Sequence, residues 1–179
     1  MLLKVEDLEK IQAAYPEYRM ELVDGEIIVK SLSSFDSAET AAAFACILSN
    51  WVRPRKLGRV VGASAGFKLP NGDLRMIDLS FLRAEKLKQT TEDYAEIVPD
   101  LVVEVKSKTD NLEKSRAKIQ QFIQLGSQIG ILINPKTKTL EIYRQGELIT
   151  LKNHDVLTLP DLLPGFEANI FELCPPVFE

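Results

Sequence analysis

A strand, a helix and a second strand follow one another between residues 99 and 135, and this order constrains the fold more than any other feature of the sequence. Residues 99–107 read PDLVVEVKS and residues 128–135 read QIGILINP, and both contain the apolar run of a buried strand. Residues 110–125 between them have the spacing of a helix, which Gly126 ends. Since strands and helices also occur on both sides of this unit, the sequence predicts one α/β domain.

Shorter signals divide the rest of the chain. They predict helices at residues 5–15 and 36–52, a hairpin around Asp24 and Gly25, a β-like segment at 59–69, a single strand at 75–83 and strands at 139–144 and 146–151. The tail after these strands is rich in proline, and we predict that it is irregular. The chain has 179 residues without an internal repeat or a linker, which fits a single domain over residues 1–179.

Composition and charge limit the classes of function. Apolar residues make up 45% of the chain and charged residues 27%, as in soluble globular proteins. There is no apolar run of about 18 residues, and acidic residues interrupt the N-terminal segment, so we expect no membrane span, no signal peptide and a cytoplasmic location. The net charge of −4 argues against a protein that coats DNA through a global positive field, but it leaves room for a local basic cleft.

The strand PDLVVEVKS carries two opposite charges at its end. Because side chains alternate between the two faces of a strand, Glu104 and Lys106 share one face with Val102, and the odd-numbered residues form an apolar core face. An uncompensated buried charge is costly, so the two charges either reach solvent as an ordinary ion pair or serve a site. This strand alone leaves both interpretations open.

A second carboxylate lies within RMIDLSFLR. Asp78 and Ser80 share one face of this predicted strand, and the opposite face, which begins with Ile77, is apolar. If the two strands are neighbours, then Asp78, Glu104 and Lys106 converge. Two carboxylates with open positions suit Mg²⁺, which usually keeps several waters. A lysine beside the metal can orient an attacking water, so these residues indicate metal-assisted hydrolysis of a phosphodiester.

The order of four segments resembles a known family. The segments are YRMELVDGEII at 18–28, GFKLPNGDLRMIDLSFL at 66–82, VPDLVVEVKSKTD at 98–110 and the INP turn at 133–135. Over roughly residues 15–150 they resemble the restriction endonuclease family known as Uma-two, within the PD-(D/E)xK nuclease superfamily. One departure is Ile77, which stands where the family often has proline before its aspartate.

The resemblance implies the restriction-endonuclease-like fold, a mixed β-sheet flanked by helices, and an endonuclease that cleaves DNA with Mg²⁺ or Mn²⁺. Carried over by position, Asp78 and Glu104 hold the metal, the Val105 carbonyl adds a ligand, and Lys106 positions or activates water. Glu21 matches an upstream acidic residue of the family; the other interpretation of Glu21 is a hairpin carboxylate that faces solvent. Related nucleases often work as dimers, so we expect a homodimer.

Other interpretations accompany this one. A non-catalytic module that binds nucleic acid or another protein is the main alternative, because such a module can retain the same fold. GASAG at 62–66 matches the nucleophile elbow of serine hydrolases, with Ser64 as nucleophile, but the required helix does not follow in the sequence. Lys114 and Lys118 of the predicted helix suit either phosphate contacts or an ordinary exposed face.

Overall fold

The computed structural model describes residues 2–178. Its helices are α1 (Val5–Ala14), α2 (Phe35–Val52), α3 (Leu112–Leu125) and α4 (Ile170–Leu173). Its strands are β1 (Met20–Val23), β2 (Glu26–Val29), β3 (Gly58–Gly62), β4 (Gly66–Lys68), β5 (Leu74–Met76), β6 (Leu79–Arg83), β7 (Leu101–Val105), β8 (Ile129–Asn134), β9 (Thr139–Arg144), β10 (Glu147–Lys152), β11 (Val156–Leu159) and β12 (Leu163–Asn169). Within residues 2–178, no helix combines the length and the apolar character that crossing a bilayer requires.

The strands form one large sheet and two smaller ones. The large sheet has the order β10-β9-β8-β7-β6-β3, the second has the order β2-β1-β5-β4, and β11 pairs with β12. β7 and β8 are parallel and are connected by α3, whereas the other neighbours in the large sheet are antiparallel. The predicted α/β fold with a mixed β-sheet flanked by helices is therefore confirmed.

β7 lies at the centre of the core because both of its faces are buried. Leu101 and Val103 pack with Phe44 of α2 in the main hydrophobic cluster. Val102 packs on the opposite face with Phe122 of α3. The apolar run in the sequence of β7 therefore reflects a strand that helices cover on both sides.

The hairpin of β1 and β2 carries one predicted site residue. Asp24 and Gly25 form its turn with φ values of 50° and 75°, the left-handed region that a type I′ turn requires and that glycine adopts without steric cost. The turn sets a register in which Glu21 lies opposite Ile28. β1 also pairs with β5, which holds the hairpin against the segment that precedes β6.

The prediction of a single strand over RMIDLSFLR is wrong, because the chain changes sheets within it. β5 ends at Met76 in the four-stranded sheet, and β6 begins at Leu79 in the six-stranded sheet. Ile77 consequently packs in the cluster beneath α3 and not with Leu79 in the main cluster. Asp78 lies in the break between the two strands. β6 and β7 are nevertheless neighbours, as the predicted convergence of the site residues requires.

Most of the tail is regular, so the prediction that it is irregular is wrong for residues 156–173, whereas residues 174–178 contain no helix or strand. β11 and β12 form an antiparallel pair, and the short helix α4 follows. Leu157, Leu159, Phe166 and Ala168 alternate along the two strands and join the main hydrophobic cluster. Pro164 does not prevent this pairing, because β12 has one neighbouring strand within residues 2–178 and proline is tolerated in such edge strands.

Asn111 caps α3. Its side-chain oxygen accepts hydrogen bonds from the backbone N–H groups of Glu113 and Lys114. Asp110, which the sequence places at the helix start, instead accepts a hydrogen bond from the Ser107 N–H at 2.7 Å. The helix therefore begins slightly later than predicted and ends where predicted, before Gly126.

Candidate active site

Two buried glutamates converge on one buried lysine. Nζ of Lys118 on α3 lies 2.9 Å from Oε1 of Glu104 on β7 and 3.1 Å from Oε1 of Glu21 on β1. The exposed fractions of Lys118, Glu104 and Glu21 are 7%, 8% and 2%. Each buried charge has an opposite charge within hydrogen-bonding distance, so the cost of removing it from water is partly offset. The cluster joins both major sheets to α3.

The sequence of α3 explains why the lysine is buried. Ser115, Lys118, Ile119 and Phe122 recur at spacings of three and four residues and form the buried face of the helix. Ile119 and Phe122 pack in two hydrophobic clusters against the large sheet. Lys118 therefore points towards the sheet, and the interpretation of an exposed helix face is wrong for this residue.

Glu21 is fixed from three sides. Its Oε1 accepts a hydrogen bond from the backbone N–H of Met76 at 2.8 Å, in addition to the contact with Lys118. Its Oε2 lies 3.7 Å from Nε of Arg75. These contacts contradict the interpretation of Glu21 as a hairpin carboxylate that faces solvent.

Asp78 reaches the same strand end from the break between β5 and β6. Its Oδ2 accepts a hydrogen bond from the backbone N–H of Val105 at 2.8 Å. Val105 is the last residue of β7 and directly follows Glu104. The sheet change that interrupts the predicted strand is thus what brings Asp78 to the end of β7.

Burial raises the pKa values of Asp78 and Glu104, the two carboxylates at this strand end. Burial raises the pKa of Glu104, and the nearby Asp78 raises it further, while Lys118 opposes both effects. Burial also raises the pKa of Asp78, against the Val105 hydrogen bond and the charges of Lys118 and Lys30. Both groups therefore carry a negative charge at a cost that an added cation would reduce.

Glu21 and Lys118 are held in their charged forms. Burial alone would raise the pKa of Glu21, but Lys118, Arg75, Lys30 and a backbone N–H together lower this pKa below its usual value. Burial alone would lower the pKa of Lys118, but Glu104 and Glu21 raise it above its usual value. The ion pair of Lys118 and Glu21 is therefore a stable element of the site.

Two concave surfaces lead to these side chains. The first, of about 270 Å³, is lined by Glu21, Glu104 and Lys118. The second, of about 370 Å³, is lined by Asp78 and Arg19, together with alanines of α2. Asp78 and Glu104 can thus each be reached by solvent or a ligand.

The family of the chain follows from almost its whole length. The family model Uma2, described as "Putative restriction endonuclease", matches residues 5–171. The chain belongs to the Uma2 family. No curated protein matches the chain at a significant level of similarity.

Solved structures resemble this Uma2 protein. The crystal structure of "a putative nuclease belonging to DUF820" from Anabaena variabilis matches with a TM-score of 0.77 and 19% sequence identity, over 86% of this chain and 88% of that one. A cryo-electron microscopy structure of a DrdV–DNA complex matches with a TM-score of 0.42 and 16% identity, over 62% of this chain and 9% of that one. The first likeness establishes the fold alone, and the second is too weak to carry an argument.

The carboxylates of this Uma2 protein fit a hard divalent cation. Asp78 uses one oxygen for the Val105 N–H and Glu104 uses one for Lys118, so each keeps an oxygen that has no hydrogen-bond partner within residues 2–178. Mg²⁺ takes oxygen ligands and usually needs only one or two carboxylates, because it keeps several waters. In the part of the chain that the structure describes, no group of three or more His, Cys, Asp or Glu is arranged to hold a metal. The donors therefore suit a largely hydrated cation.

Lys106 and the Val105 carbonyl remain predictions. Nζ of Lys106 donates a hydrogen bond to the Ser107 carbonyl at 3.1 Å, and it forms no ion pair with a carboxylate of residues 2–178. The side chain is half-buried and directly follows the end of β7. The structure thus brings Glu21 and Glu104 together on Lys118 and places Asp78 beside them, but Lys106 forms no hydrogen bond or ion pair with their side chains within residues 2–178.

The sequence prediction named Lys118 only as a possible phosphate contact or exposed residue, and it did not name Arg75 or Lys30 as part of the site. Lys118 has a detectable signal, because it lies between Ser115 and Phe122 on the stripe that an amphipathic helix buries. Arg75 and Lys30 have no comparable signal. Their proximity to the carboxylates depends on how the strands of the second sheet pair.

Ser64 does not form a hydrolase site. It lies in the turn between β3 and β4, with a φ of 73°, and it accepts a hydrogen bond from Arg19 at 2.8 Å. A nucleophile elbow requires a turn from a strand into a helix. The structure excludes that interpretation, as the sequence around Ser64 predicts.

Proposed function

We propose that this Uma2 protein is a metal-dependent endonuclease that hydrolyses phosphodiester bonds in DNA. The observation that carries the proposal is the hydrogen bond that holds Asp78 at the end of β7, beside the buried Glu104. Burial raises the pKa of both carboxylates, and Asp78 raises that of Glu104 further, so holding both charges here costs stability that a bound cation would offset. Membership of a family described by the term restriction endonuclease supports the same reaction.

The proposed roles follow from the chemistry of each group. Asp78 and Glu104 hold Mg²⁺ or Mn²⁺, and the Val105 carbonyl is a further ligand. When bound, the cation lowers the pKa of a water and stabilises negative charge on the phosphate. Lys106 positions or activates the attacking water, and its positive charge stabilises the charge that develops on the phosphate. Glu21 assists by binding a water at the site.

Lys106 must exchange its present hydrogen bond to take this role. Its ammonium group donates to the Ser107 carbonyl, a neutral acceptor. A substrate phosphate is a charged acceptor, so a hydrogen bond from the ammonium to it gains the attraction of opposite charges, which the bond to the Ser107 carbonyl lacks. Rotation of the long, half-buried side chain towards the substrate is therefore favoured once DNA is bound.

Cationic side chains beside the carboxylates support DNA as the partner. Lys30, Arg75 and Lys114 line the same cavity as Glu104. Because the net charge is −4, we expect phosphate contacts to be confined to this region and to weaken with added salt. We also propose a cytoplasmic location and a homodimer, since a duplex has two strands to cleave.

Cleavage of supercoiled plasmid tests the proposal. Purified protein is incubated with Mg²⁺ or Mn²⁺ and, in parallel, with EDTA. We expect nicking that depends on the metal and that falls by a factor of about 10² or more in Lys106→Ala, the scale of a lost acid–base group. Lys108→Ala is the matched control, because Lys108 is exposed two positions further along the chain.

The outcomes separate the enzyme from a contaminant. Equal nicking by wild type, Lys106→Ala and Glu104→Gln would assign the activity to a contaminating protein. Metal-dependent cleavage that is lost in both Lys106→Ala and Glu104→Gln but retained in Lys108→Ala would establish the reaction at this site. The absence of metal-dependent cleavage on both supercoiled and single-stranded DNA would contradict the proposal.

A non-catalytic binding module is the second candidate function. The observation that favours it is that Lys118 contacts both Glu104 and Glu21 and Arg75 lies beside Glu21, so two cations already face these two glutamates without a metal. Such a module would bind labelled duplex DNA, or a protein, equally well in Mg²⁺ and in EDTA. Fluorescence anisotropy with wild type and Glu104→Gln distinguishes the two candidates, because only the enzyme requires the metal and the carboxylate.

A further inference from the structure

β2 is a free edge of the four-stranded sheet. It has β1 on one side and no strand of residues 2–178 on the other. The backbone N–H of Lys30 donates to the Arg19 carbonyl at 2.8 Å, which is the direction of β1. Because hydrogen-bonding direction alternates along a strand, the backbone groups of Ile27 and Val29 point away from β1. Their N–H and carbonyl groups are therefore available to another strand.

The side chains of this edge are unusually apolar. Ile28 is 44% exposed and Val29 is 54% exposed. The pairing of β2 with β1 is regular, without a bulge that would twist the edge away. A regular edge strand with exposed apolar side chains is a template for pairing with another chain, unless something covers it.

We propose that β2 pairs in antiparallel orientation with β2 of a second copy of this chain, about a twofold axis at Ile28. An axis perpendicular to the sheet keeps every residue on its own face, so only residues of equal parity can lie opposite each other. With the axis at Ile28, Ile27 lies opposite Val29 of the partner subunit. These are the residues whose backbone groups point outward, so they form the hydrogen-bonded pairs.

Charge selects this register. With the axis at Ile28, Glu26 lies opposite Lys30 of the partner subunit, and symmetry repeats the pair. With the axis at Ile27, Glu26 would lie opposite Ile28 of the partner subunit. With the axis at Val29, Lys30 would lie opposite Ile28 of the partner subunit, so in both cases a charge faces an apolar side chain. Opposite charges that face each other across a strand pair stabilise it, so the central register is favoured.

The pairing places the two candidate active sites on one surface. Glu26, Ile28 and Lys30 share a face with Glu21, and Lys30 lines the same cavity as Glu104. The partner subunit's Glu26 would therefore contact a residue of this site. The two copies of Glu21 would be three strand spacings apart, about 14 Å. That distance is close to the width of the DNA major groove, about 12 Å, and its relevance for cleavage rests on the proposed function.

Charge reversal tests the interface. Sedimentation velocity over a range of concentrations compares wild type with Glu26→Lys, Lys30→Glu and the double variant E26K/K30E. We expect a wild-type dimer, a dissociation constant at least tenfold higher in each single variant, and recovery in the double variant, in which the opposite charges face each other again. Single variants that dimerise as tightly as wild type, or a double variant that fails to recover, would overturn the register.

A backbone variant tests the same edge independently of charge. Val29→Pro removes an N–H that points away from β1, so the hairpin ladder is retained; Val29→Thr keeps the N–H and the branched shape. We expect Val29→Pro to be monomeric and Val29→Thr dimeric, with circular dichroism spectra like that of wild type. A monomeric wild type, or a dimeric Val29→Pro, would overturn the proposal.

The plasmid assay keeps the two proposals distinguishable. If the wild type is a monomer and cleaves DNA, the proposed interface is contradicted and the proposed function is not. A wild-type dimer that depends on Glu26 and Lys30 but never cleaves DNA would establish the interface and count against the nuclease.

Discussion

Nζ of Lys118 lies 2.9 Å from Oε1 of Glu104, and both side chains are buried. The two residues belong to α3 and β7, which are consecutive elements of the strand–helix–strand unit. That unit therefore carries its own buried ion pair, to which the hairpin adds Glu21. Removing one partner of such a pair is much more costly than replacing an exposed charge, which allows direct tests of the site.

Lys118→Met should destabilise the protein strongly. Methionine retains the apolar stem but leaves Glu21 and Glu104 without their shared cation, so we expect a loss of about 3–5 kcal/mol in the free energy of unfolding. Urea unfolding at neutral pH measures it. Lys114→Met is the control, because Lys114 is exposed one turn earlier and should change stability by less than about 0.5 kcal/mol. Equal effects of the two substitutions would contradict the buried ion pair.

Divalent metal should stabilise the folded protein. At a metal concentration of 100 times Kd, mass action adds about 2.7 kcal/mol, which for a chain of this length raises Tm by roughly 5–11 °C. EDTA should reverse the rise in Tm, and Glu104→Gln should abolish it. Glu113→Gln is the control, because Glu113 is an exposed carboxylate outside the site and should retain the full rise. A wild-type Tm that does not change when Mn²⁺ or Mg²⁺ is added would count against a metal site.

Stability should depend on pH through Glu141, which lies outside the site on β9. Hydrogen bonds from Arg116 lower the pKa of Glu141, against a smaller opposing effect of burial and with help from Tyr143. A carboxyl whose pKa is lower in the folded protein stabilises the fold above its unfolded pKa of about 4.3, and this stabilisation is lost as pH falls through the folded pKa.

Glu141→Gln should therefore cost about 1–2 kcal/mol at pH 7, and the difference from wild type should shrink as the solution becomes acidic. Urea unfolding in a pH series measures the difference. Glu167→Gln, at an exposed position of β12, should show little difference at any pH. A Glu141→Gln difference that does not change with pH would assign it to packing and not to charge.

Gly130 on β8 sets how closely α3 approaches the sheet. A Cβ at this position would lie 2.3 Å from Cγ2 of Ile119, the residue next to Lys118. Gly130→Ala should therefore displace α3 and destabilise the protein by about 1–3 kcal/mol. Ile119→Ala removes the opposing methyl group, so the double variant should be more stable than the sum of the two single effects predicts. Additive effects in urea unfolding would show that this contact does not limit the helix position.

Several elements could be predicted because their signals are local. The turn at Asp24 and Gly25, the end of α3 before Gly126 and the apolar face of β7 each depend on residues that are close in sequence. The hairpin then gives the correct neighbours for Glu21. The prediction that Glu104 belongs to a site also began from a local pattern, the interruption of an apolar run, whereas its convergence with Asp78 required β6 and β7 to be neighbours.

Other elements could not be predicted, because they depend on which strands pair. RMIDLSFLR has one continuous alternation, and nothing in it indicates that the chain leaves one sheet at Met76 and enters another at Leu79. In the tail, the alternation of apolar residues is short and lies close to prolines, so it does not by itself indicate strands. Contacts of these residues with the main hydrophobic cluster decide the structure of the tail.

The sequence by itself indicated the central strand–helix–strand unit, the two-residue turn, the apolar face of β7 and the family to which the chain belongs. These depend on periodicity and turn chemistry, which act over a few residues. Only the tertiary structure decided that Lys118 pairs with both Glu21 and Glu104, that Asp78 lies in a break between sheets, and that Lys106 bonds to a neighbouring carbonyl. The physical reason is that a charge is buried or exposed according to partners that are distant in the chain, and those partners are chosen by packing.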